Sequence, residues 1–370
     1  MAVKKRAVIA SGGTGGHFYP GFALAQELRA RGWQTLFLVK KDDIARPALD
    51  EADFPYAELD MVSLPRSLNP FRHAAFLWKF AASALLARRV MKDFRPDAVI
   101  GTGSYVAFPA LAAARLCGAP VYLHESNAKF GLGNRLAGFF CARAALGLPV
   151  PGNPFASKSA LTGTPIREAF REEVRRDEAR RALGLEREPF TVLVFGGSQG
   201  ARRLNSAFIS AFKSLKGDIQ AVHVTGRKNY ESVLDAYAAA GLEDAPGLKV
   251  FDYREDMPLL YAAADVVISR SGASTVAELA HLKKPAVLVP LPSSAGNHQK
   301  YNALALSAKG AAVCLEESED FDAALAAALR VMMDEPEKTE AMQAAFAGAG
   351  IPDGMKAAGA LADLIEAGTK

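Results

Sequence analysis

Cysteine is scarce. The 370 residues hold three, Cys117, Cys141 and Cys314, far apart and in apolar surroundings. That excludes a disulfide framework and cysteine-based metal spacing, and it suits a reducing compartment. No window reaches the roughly 18 uncharged apolar residues of a spanning helix. The basic start "MAVKKRAVIASGG" has an apolar run too short for a secretory signal. A soluble chain is therefore expected. Acidic residues are nearly missing from one stretch. Residues 61–95 carry Arg66, Arg72, Lys79, Arg88, Arg89, Lys92 and Arg95 against Asp93 alone. This stretch is net +6 in a chain of net +4, so the remainder is −2. The positive charge is local, the partner it implies is local, and no nucleic acid is expected.

Glycine and apolar residues are plentiful: 31 glycines, and half the chain hydrophobic. The length is too great for one comfortable core, which predicts two domains. Strand-like apolar runs ("RAVIA", "QTLFLV", "DAVIGTG", "APVYLHE") alternate with helix-like segments, as parallel βαβ units do. The grammar restarts at "FTVLVFGGSQGARRLNSAFISAF". Gly12 and Gly196 lie 184 residues apart, about half the chain. The predicted fold class is α/β, two Rossmann-like doubly wound parallel sheets facing across a cleft. The Pro/Gly/Ser-rich residues 148–167 mark the joint. The expected domains are 1–163, 164–340 and a helical tail, 341–370, that packs back on one half.

"GGTGG" (12–16) and "GGSQG" (196–200) each join an apolar run to a helix. Backbone N–H groups in such a loop, with the helix N-terminus behind them, favour an anion. Neither is G-x-G-x-x-G, so a dinucleotide site is not favoured. His17 follows the first loop, where an imidazole serves either as a packing residue or as a proton acceptor near neutral pH. "TGSYVAFPA" and "HESNAKFGLGN" should project from the same sheet edge, so that Tyr105, His124, Glu125, Ser126, Asn127 and Asn134 form one polar rim with His17. In the second half, residues 271–274 form a small-residue loop before the helix "STVAEL", with Ser274 as N-cap and Glu278 one turn in. Glu278 there is either a ribose ligand or a partner of the helix dipole. Gly272, Ser274, Glu278 and Gln299 converge in a short span.

With these stretches assembled, the chain resembles the MurG-type glycosyltransferases of GT-B fold. The motifs "GGTGGHFYPGFALA", "TGSYVAFPA", "HESN…GLGN", "GTPIR", "GGSQGARRLN", "YREDMPLLYAAADVVISRSGASTVAEL" and "NHQKYNALAL" occur in the family's order. The resemblance implies transfer of N-acetylglucosamine from UDP-GlcNAc to the lipid-linked muramoyl-pentapeptide of peptidoglycan synthesis. It implies action at the cytoplasmic face of the cell membrane, as a peripheral protein. It implies that Thr14, Gly15 and Gly16 lie by the sugar and diphosphate, and that Asn127 reaches the sugar. Arg167 and Ser198 would lie on the diphosphate, and backbone near Arg254 on the uracil. Ala273, Ser274, Thr275, Val276, Ala277 and Glu278 would surround the nucleotide, with Glu278 on the ribose hydroxyls and Gln299 on the sugar. Ser126, in place of the family's usual glutamine, Ser104 and Lys300 depart from its pattern.

Displacement at an α-linked donor by a sugar hydroxyl, with inversion, needs a base and stabilisation of departing UDP. His17 is the expected base and Glu125 the runner-up. Arg167, the "GGSQG" amides and the helix near Ser274 would hold the developing charge, and no metal or cofactor is expected. Two other enzyme classes share the sequence pattern, a GT-B transferase acting on another lipid and a UDP-sugar epimerase. A catalytically silent nucleotide-sugar-binding subunit is a third reading. The basic stretch also contains Phe71, Phe76, Leu77, Trp78 and Phe80. Residues 64–95 are thus the expected contact with an anionic membrane surface, unless these apolar side chains simply fill the core.

Overall fold

In the computed structural model the described residues are 4–62, 69–197, 200–215 and 217–369. The chain forms two compact units, Met1–Arg167 with Ile351–Lys370, and Glu168–Gly350. The joint thus falls after Arg167, so residues 164–167 lie with the first unit. Residues 341–350 stay with the second, and the return to the first comes at residue 351.

The first unit holds strands β1 (Arg6–Ala10), β2 (Gln34–Lys40), β3 (Tyr56–Leu59), β4 (Ala98–Gly101), β5 (Val121–Glu125), β6 (Arg143–Leu146) and β7 (Ser159–Leu161). They pair in parallel in the order β3-β2-β1-β4-β5-β6-β7. The helices between them are α1 (Gly15–Ala30), α2 (Arg46–Glu51), α3 (Pro70–Phe94), α4 (Ser104–Leu116) and α5 (Leu132–Ala137). Side chains alternate across a strand, and β1 divides its run accordingly. Ala7 and Ile9 enter the core under α1, while Val8 and Ala10 enter the core under α3 and α4. Both faces are covered, which is why the strand reads as an unbroken apolar run.

The second unit holds β8 (Phe190–Phe195), β9 (Ile219–Val224), β10 (Leu248–Phe251), β11 (Val266–Ser269), β12 (Ala286–Leu288) and β13 (Val313–Cys314), in the order β10-β9-β8-β11-β12-β13. Its helices are α6 (Arg176–Ala182), α7 (Arg202–Ser214), α8 (Tyr230–Ala239), α9 (Met257–Ala263), α10 (Ala273–Leu282), α11 (His298–Ser307), α12 (Phe321–Asp334) and α13 (Pro336–Ala345). The last helix, α14 (Gly354–Gly368), returns to the first unit. Leu361, Ala362 and Ile365 of α14 join the core under α1. Arg31 bonds Asp363 at 2.6 Å and Glu366 at 2.9 Å, and Trp33 Nε1–H donates to Glu366 at 3.0 Å.

In each sheet the strand order reverses beside the first strand of the unit, between β1 and β4 and between β8 and β11. Loops leaving the C-terminal ends of strands at such a switch point form the ligand crevice of open α/β sheets. The loop leading to His17 leaves β1 and "TGSY" leaves β4. The "GGSQG" loop leaves β8 and "RSGAS" leaves β11.

Candidate active site

The first glycine loop is short of side chains because its neighbours need the space. A Cβ at Gly12, where φ is +133°, would meet Asp43 Oδ2 at 2.6 Å. Buried Asp43 accepts from Gly13 N–H at 2.7 Å and from Ala45 N–H at 3.0 Å. Thr14 is the extended N-cap of α1 and Gly15 and Gly16 are its first two residues. His17 follows inside the first turn. Its backbone carbonyl accepts from the Ser11 hydroxyl at 2.9 Å and lies 2.8 Å from that of Thr102. Its ring Nδ1 lies 3.1 Å from the Thr102 carbonyl. A carbonyl only accepts, so the neutral ring carries its proton on Nδ1 and its lone pair on Nε2. Gly103 lets this happen: a Cβ there would meet His17 Nδ1 at 2.7 Å. Loops from β1 and β4, 85 residues apart in sequence, thus fix one imidazole.

Glu125, at the buried end of β5, is used differently. Oε1 accepts from the Asn127 backbone N–H at 3.1 Å and side-chain amide at 3.0 Å. Oε2 accepts from Gly131 N–H at 2.9 Å and Asn134 Nδ2 at 3.0 Å. Four donors hold the carboxylate as the brace of the loop it opens. Asn134, expected on the polar rim, is buried and also donates to the His124 carbonyl at 3.1 Å. It braces the same loop. His124 is buried too, and desolvation pushes its imidazole below the ordinary range. Its Nε2 faces the Gly163 carbonyl at 3.1 Å, so Nδ1 accepts from the Ser126 hydroxyl at 3.3 Å. Ser126 thus has a partner inside the unit. Tyr105 is half-buried at the start of α4 and packs against the core beneath α3. Arg167 is half-buried where the first unit ends.

In the second unit, Ser198 lies outside the described residues. Around it, Gly200 N–H donates to the Gly197 carbonyl at 2.8 Å, and a Cβ at Gly196 would meet the Ala201 amide nitrogen at 2.5 Å. Only glycine fits at position 196. Ser274 is the second residue of α10, and Gly272 is the N-cap, with no side-chain cap. The expectation of a serine cap is therefore wrong. The extended Gly272 (φ −64°, ψ 147°) turns the chain without one. Ser274 and Thr275 are half-buried. The side chains of Ala273, Val276 and Ala277 point into the core. Glu278 is buried in the second turn and accepts from the Tyr261 hydroxyl at 2.9 Å. Gln299 Oε1 accepts from Leu291 N–H at 2.9 Å, and its backbone carbonyl accepts from the buried Ser271 hydroxyl at 2.7 Å. The loops after β11 and β12 are thereby tied. Arg254 pairs with Asp256 and stacks on Phe251, its guanidinium holding the Asp256 carboxyl below the usual range. Lys300 pairs with Glu316 at 2.8 Å.

Among the described residues no group of three His, Cys, Asp or Glu side chains is placed to hold a metal ion. One D-x-D triplet, Asp320-Phe321-Asp322, stands at the start of α12, where Asp320 is the N-cap residue with no side-chain capping bond. Phe321 is buried and Asp322 pairs with Arg203. Sequence reasoning passed over Asp43, Thr102, Gly103 and Tyr261. A signal was present for Gly103, a glycine two residues past the end of an apolar strand. Asp43 and Tyr261 reach the loops only through tertiary contact.

Two family models cover most of the chain. The glycosyltransferase family 28 N-terminal domain matches residues 7–146, and the C-terminal domain matches residues 191–358. The chain belongs to glycosyltransferase family 28. Among family 28 relatives is a protein of Elusimicrobium minutum, 39% identical over 98% of this chain and 99% of its own. It is named UDP-N-acetylglucosamine--N-acetylmuramyl-(pentapeptide) pyrophosphoryl-undecaprenol N-acetylglucosamine transferase. The crystal structure of Acinetobacter baumannii MurG superposes with TM-score 0.78 at 28% identity, covering 99% of this chain and 100% of that one. A putative UDP-N-acetylglucosamine 2-epimerase of Listeria monocytogenes superposes with TM-score 0.69 over 96% of this chain and 94% of that one. At 14% identity it shares the fold alone. Family 28 membership makes this chain a GT-B glycosyltransferase.

Proposed function

We propose that the chain transfers N-acetylglucosamine from UDP-GlcNAc to undecaprenyl-diphospho-muramoyl-pentapeptide, making the lipid-linked disaccharide precursor of peptidoglycan. The observation that carries this is near-full-length identity of 39% to a transferase named for that reaction. An acceptor hydroxyl attacks the sugar C1, the bond from C1 to the diphosphate oxygen breaks, and UDP leaves. His17 Nε2 takes the hydroxyl proton. The bond from Nδ1 to Thr102 supports this role, since it directs the lone pair to Nε2. The saturated oxygens of Glu125 argue against that residue as base. Thr14, Gly15 and Gly16 lie by the sugar and diphosphate, and Asn127 reaches the sugar. Arg167 and the loop of Ser198 meet the charge that grows on departing UDP, where fixed donors are worth most. Gly272–Thr275 backbone groups and Glu278 hold the nucleotide, and Gln299 the sugar. Val276 and Ala277 complete that turn of α10, the Val276 N–H bonding the Gly272 carbonyl at 3.0 Å.

The lipid tail of the acceptor stays in the bilayer, and among the described residues no helix is long and apolar enough to cross a membrane. The protein docks instead, at the cytoplasmic face, through α3. Phe76 and Phe80 of that helix pack inward against the core, as the competing reading held. Phe71, Trp78 and Leu85, seven residues apart, are 82%, 75% and 66% exposed. That spacing puts them on one outward row. Arg66 of the same basic stretch lies outside the described residues, and Lys79 is paired with Asp60 at 2.9 Å.

The test supplies labelled UDP-GlcNAc with and without lipid-linked muramoyl-pentapeptide. Transfer of label to the lipid, with UDP released only when acceptor is present, is the expected result. UDP release without acceptor would indicate an epimerase, and donor binding without turnover a silent module.

A further inference from the structure

Tyr261 of α9 and Glu278 of α10 meet although β11 separates them in sequence. The Tyr261 ring is fully buried. It packs edge-on against Phe195, with centroids 5.8 Å apart and planes at 83°, and against Phe170, at 5.8 Å and 61°. Phe195 ends β8 and stands in register with Ser269, the last residue of β11. The tyrosine is therefore anchored to the strands whose ends carry "GGSQG" and "RSGAS", at the reversal of strand order. Phenylalanine would fill the same space with no buried hydroxyl to satisfy. The Tyr261 hydroxyl donates to Glu278 Oε2 at 2.9 Å. Helix side chains lean toward the N-terminus, and residues three and four apart share a face. Glu278 thus leans over Thr275 and Ser274, both half-buried, toward the Gly272 end of α10. A glutamate has three rotatable side-chain bonds. A carboxylate that meets ligand hydroxyls therefore needs a neighbour to fix its tilt.

We propose that Tyr261 is a positioning residue for donor recognition: its hydroxyl fixes the Glu278 carboxylate toward the ribose hydroxyls, and so sets the preference for a ribonucleotide. The inference deepens the reading of Glu278 given above and rests on it. The full chain is titrated calorimetrically with UDP and with 2′,3′-dideoxy-UDP, which lacks both hydroxyls. Wild type should prefer UDP by about 10- to 100-fold, the range for hydrogen bonds to a charged group. Y261F keeps the ring between Phe170 and Phe195 and removes the donor. It should bind UDP about tenfold more weakly and the dideoxy analogue like wild type, so that the preference shrinks by the same factor. A hydroxyl that serves only the core leaves the preference unchanged, so Y261F with the wild-type preference overturns the positioning role and leaves the ribose reading of Glu278 intact. A wild type with no preference overturns both. If Y261F melts below wild type, Phe170→Leu is the comparison, since it loosens the same ring and retains the hydroxyl. F170L should keep the preference despite its lowered stability. An equal loss of preference in the two variants would assign the effect to packing and overturn the proposal.

Discussion

Single residues near the first glycine loop carry two kinds of duty. His17 is held by Thr102 and has room because residue 103 is glycine. His17→Ala should lower kcat by on the order of 10²–10⁴ with little change in the KM for UDP-GlcNAc. Steady-state kinetics checks this, and an unchanged kcat would remove the base from this position. Asp43 is a brace. Asp43→Ala frees the Gly13 amide and should cost about 1–3 kcal/mol. Faster hydrogen exchange at Gly13 together with a lower denaturation midpoint would show it. The place of His17 beside the loop was legible in the sequence, because glycines after an apolar run mark a tight turn into a helix, whereas its bond to Thr102 was not. Glu125 was legible as important but not as a brace. Its role depends on four donors, from Asn127, Gly131 and Asn134, that meet only once α5 folds back on β5.

Among elements, the βα alternation could be read directly, since strands buried on both faces are apolar throughout and the loops between are marked by glycine. The cap of α10 lies two residues before Ser274, although serine is the better cap by chemistry. There the extended glycine turns the chain without a side chain. For α3, amphipathicity alone was ambiguous, since apolar residues lie on both its inner and outer faces. Burial separates them, with Phe76 and Phe80 inward and Phe71, Trp78 and Leu85 outward. The tail is decided by α14, whose Leu361 and Ile365 are fully buried under α1. Leu361→Ala should therefore destabilise the protein by about 2–5 kcal/mol, although it lies far in sequence from every strand of that unit. Chemical denaturation reports the loss.

For the whole molecule, two sheets with the same reversal of strand order explain why glycine loops recur half a chain apart. Each sheet needs one loop at its own switch point. The second unit also carries a pH dependence. His223 is buried, with Nδ1 2.8 Å from the Tyr237 hydroxyl and Nε2 3.2 Å from Asn205 Oδ1. Burial pushes its pKa down to about 3. The unfolded chain, with a pKa near 6.5, then binds a proton that the folded chain refuses. Stability is full above about pH 6.5 and falls by roughly 1.4 kcal/mol per unit below it. Denaturation free energies between pH 7 and pH 5 should show this slope, and His223→Gln should reduce it, leaving the part that buried His124 of the first unit contributes.

Direct displacement at a donor of α configuration can yield only the β-linked sugar. The decisive measurement is therefore ¹H NMR of the lipid-linked disaccharide made by the full chain from UDP-GlcNAc. A large anomeric coupling, diagnostic of the β-linkage, is the predicted result. An α-linked product, or no disaccharide at all in the presence of acceptor, would contradict the account.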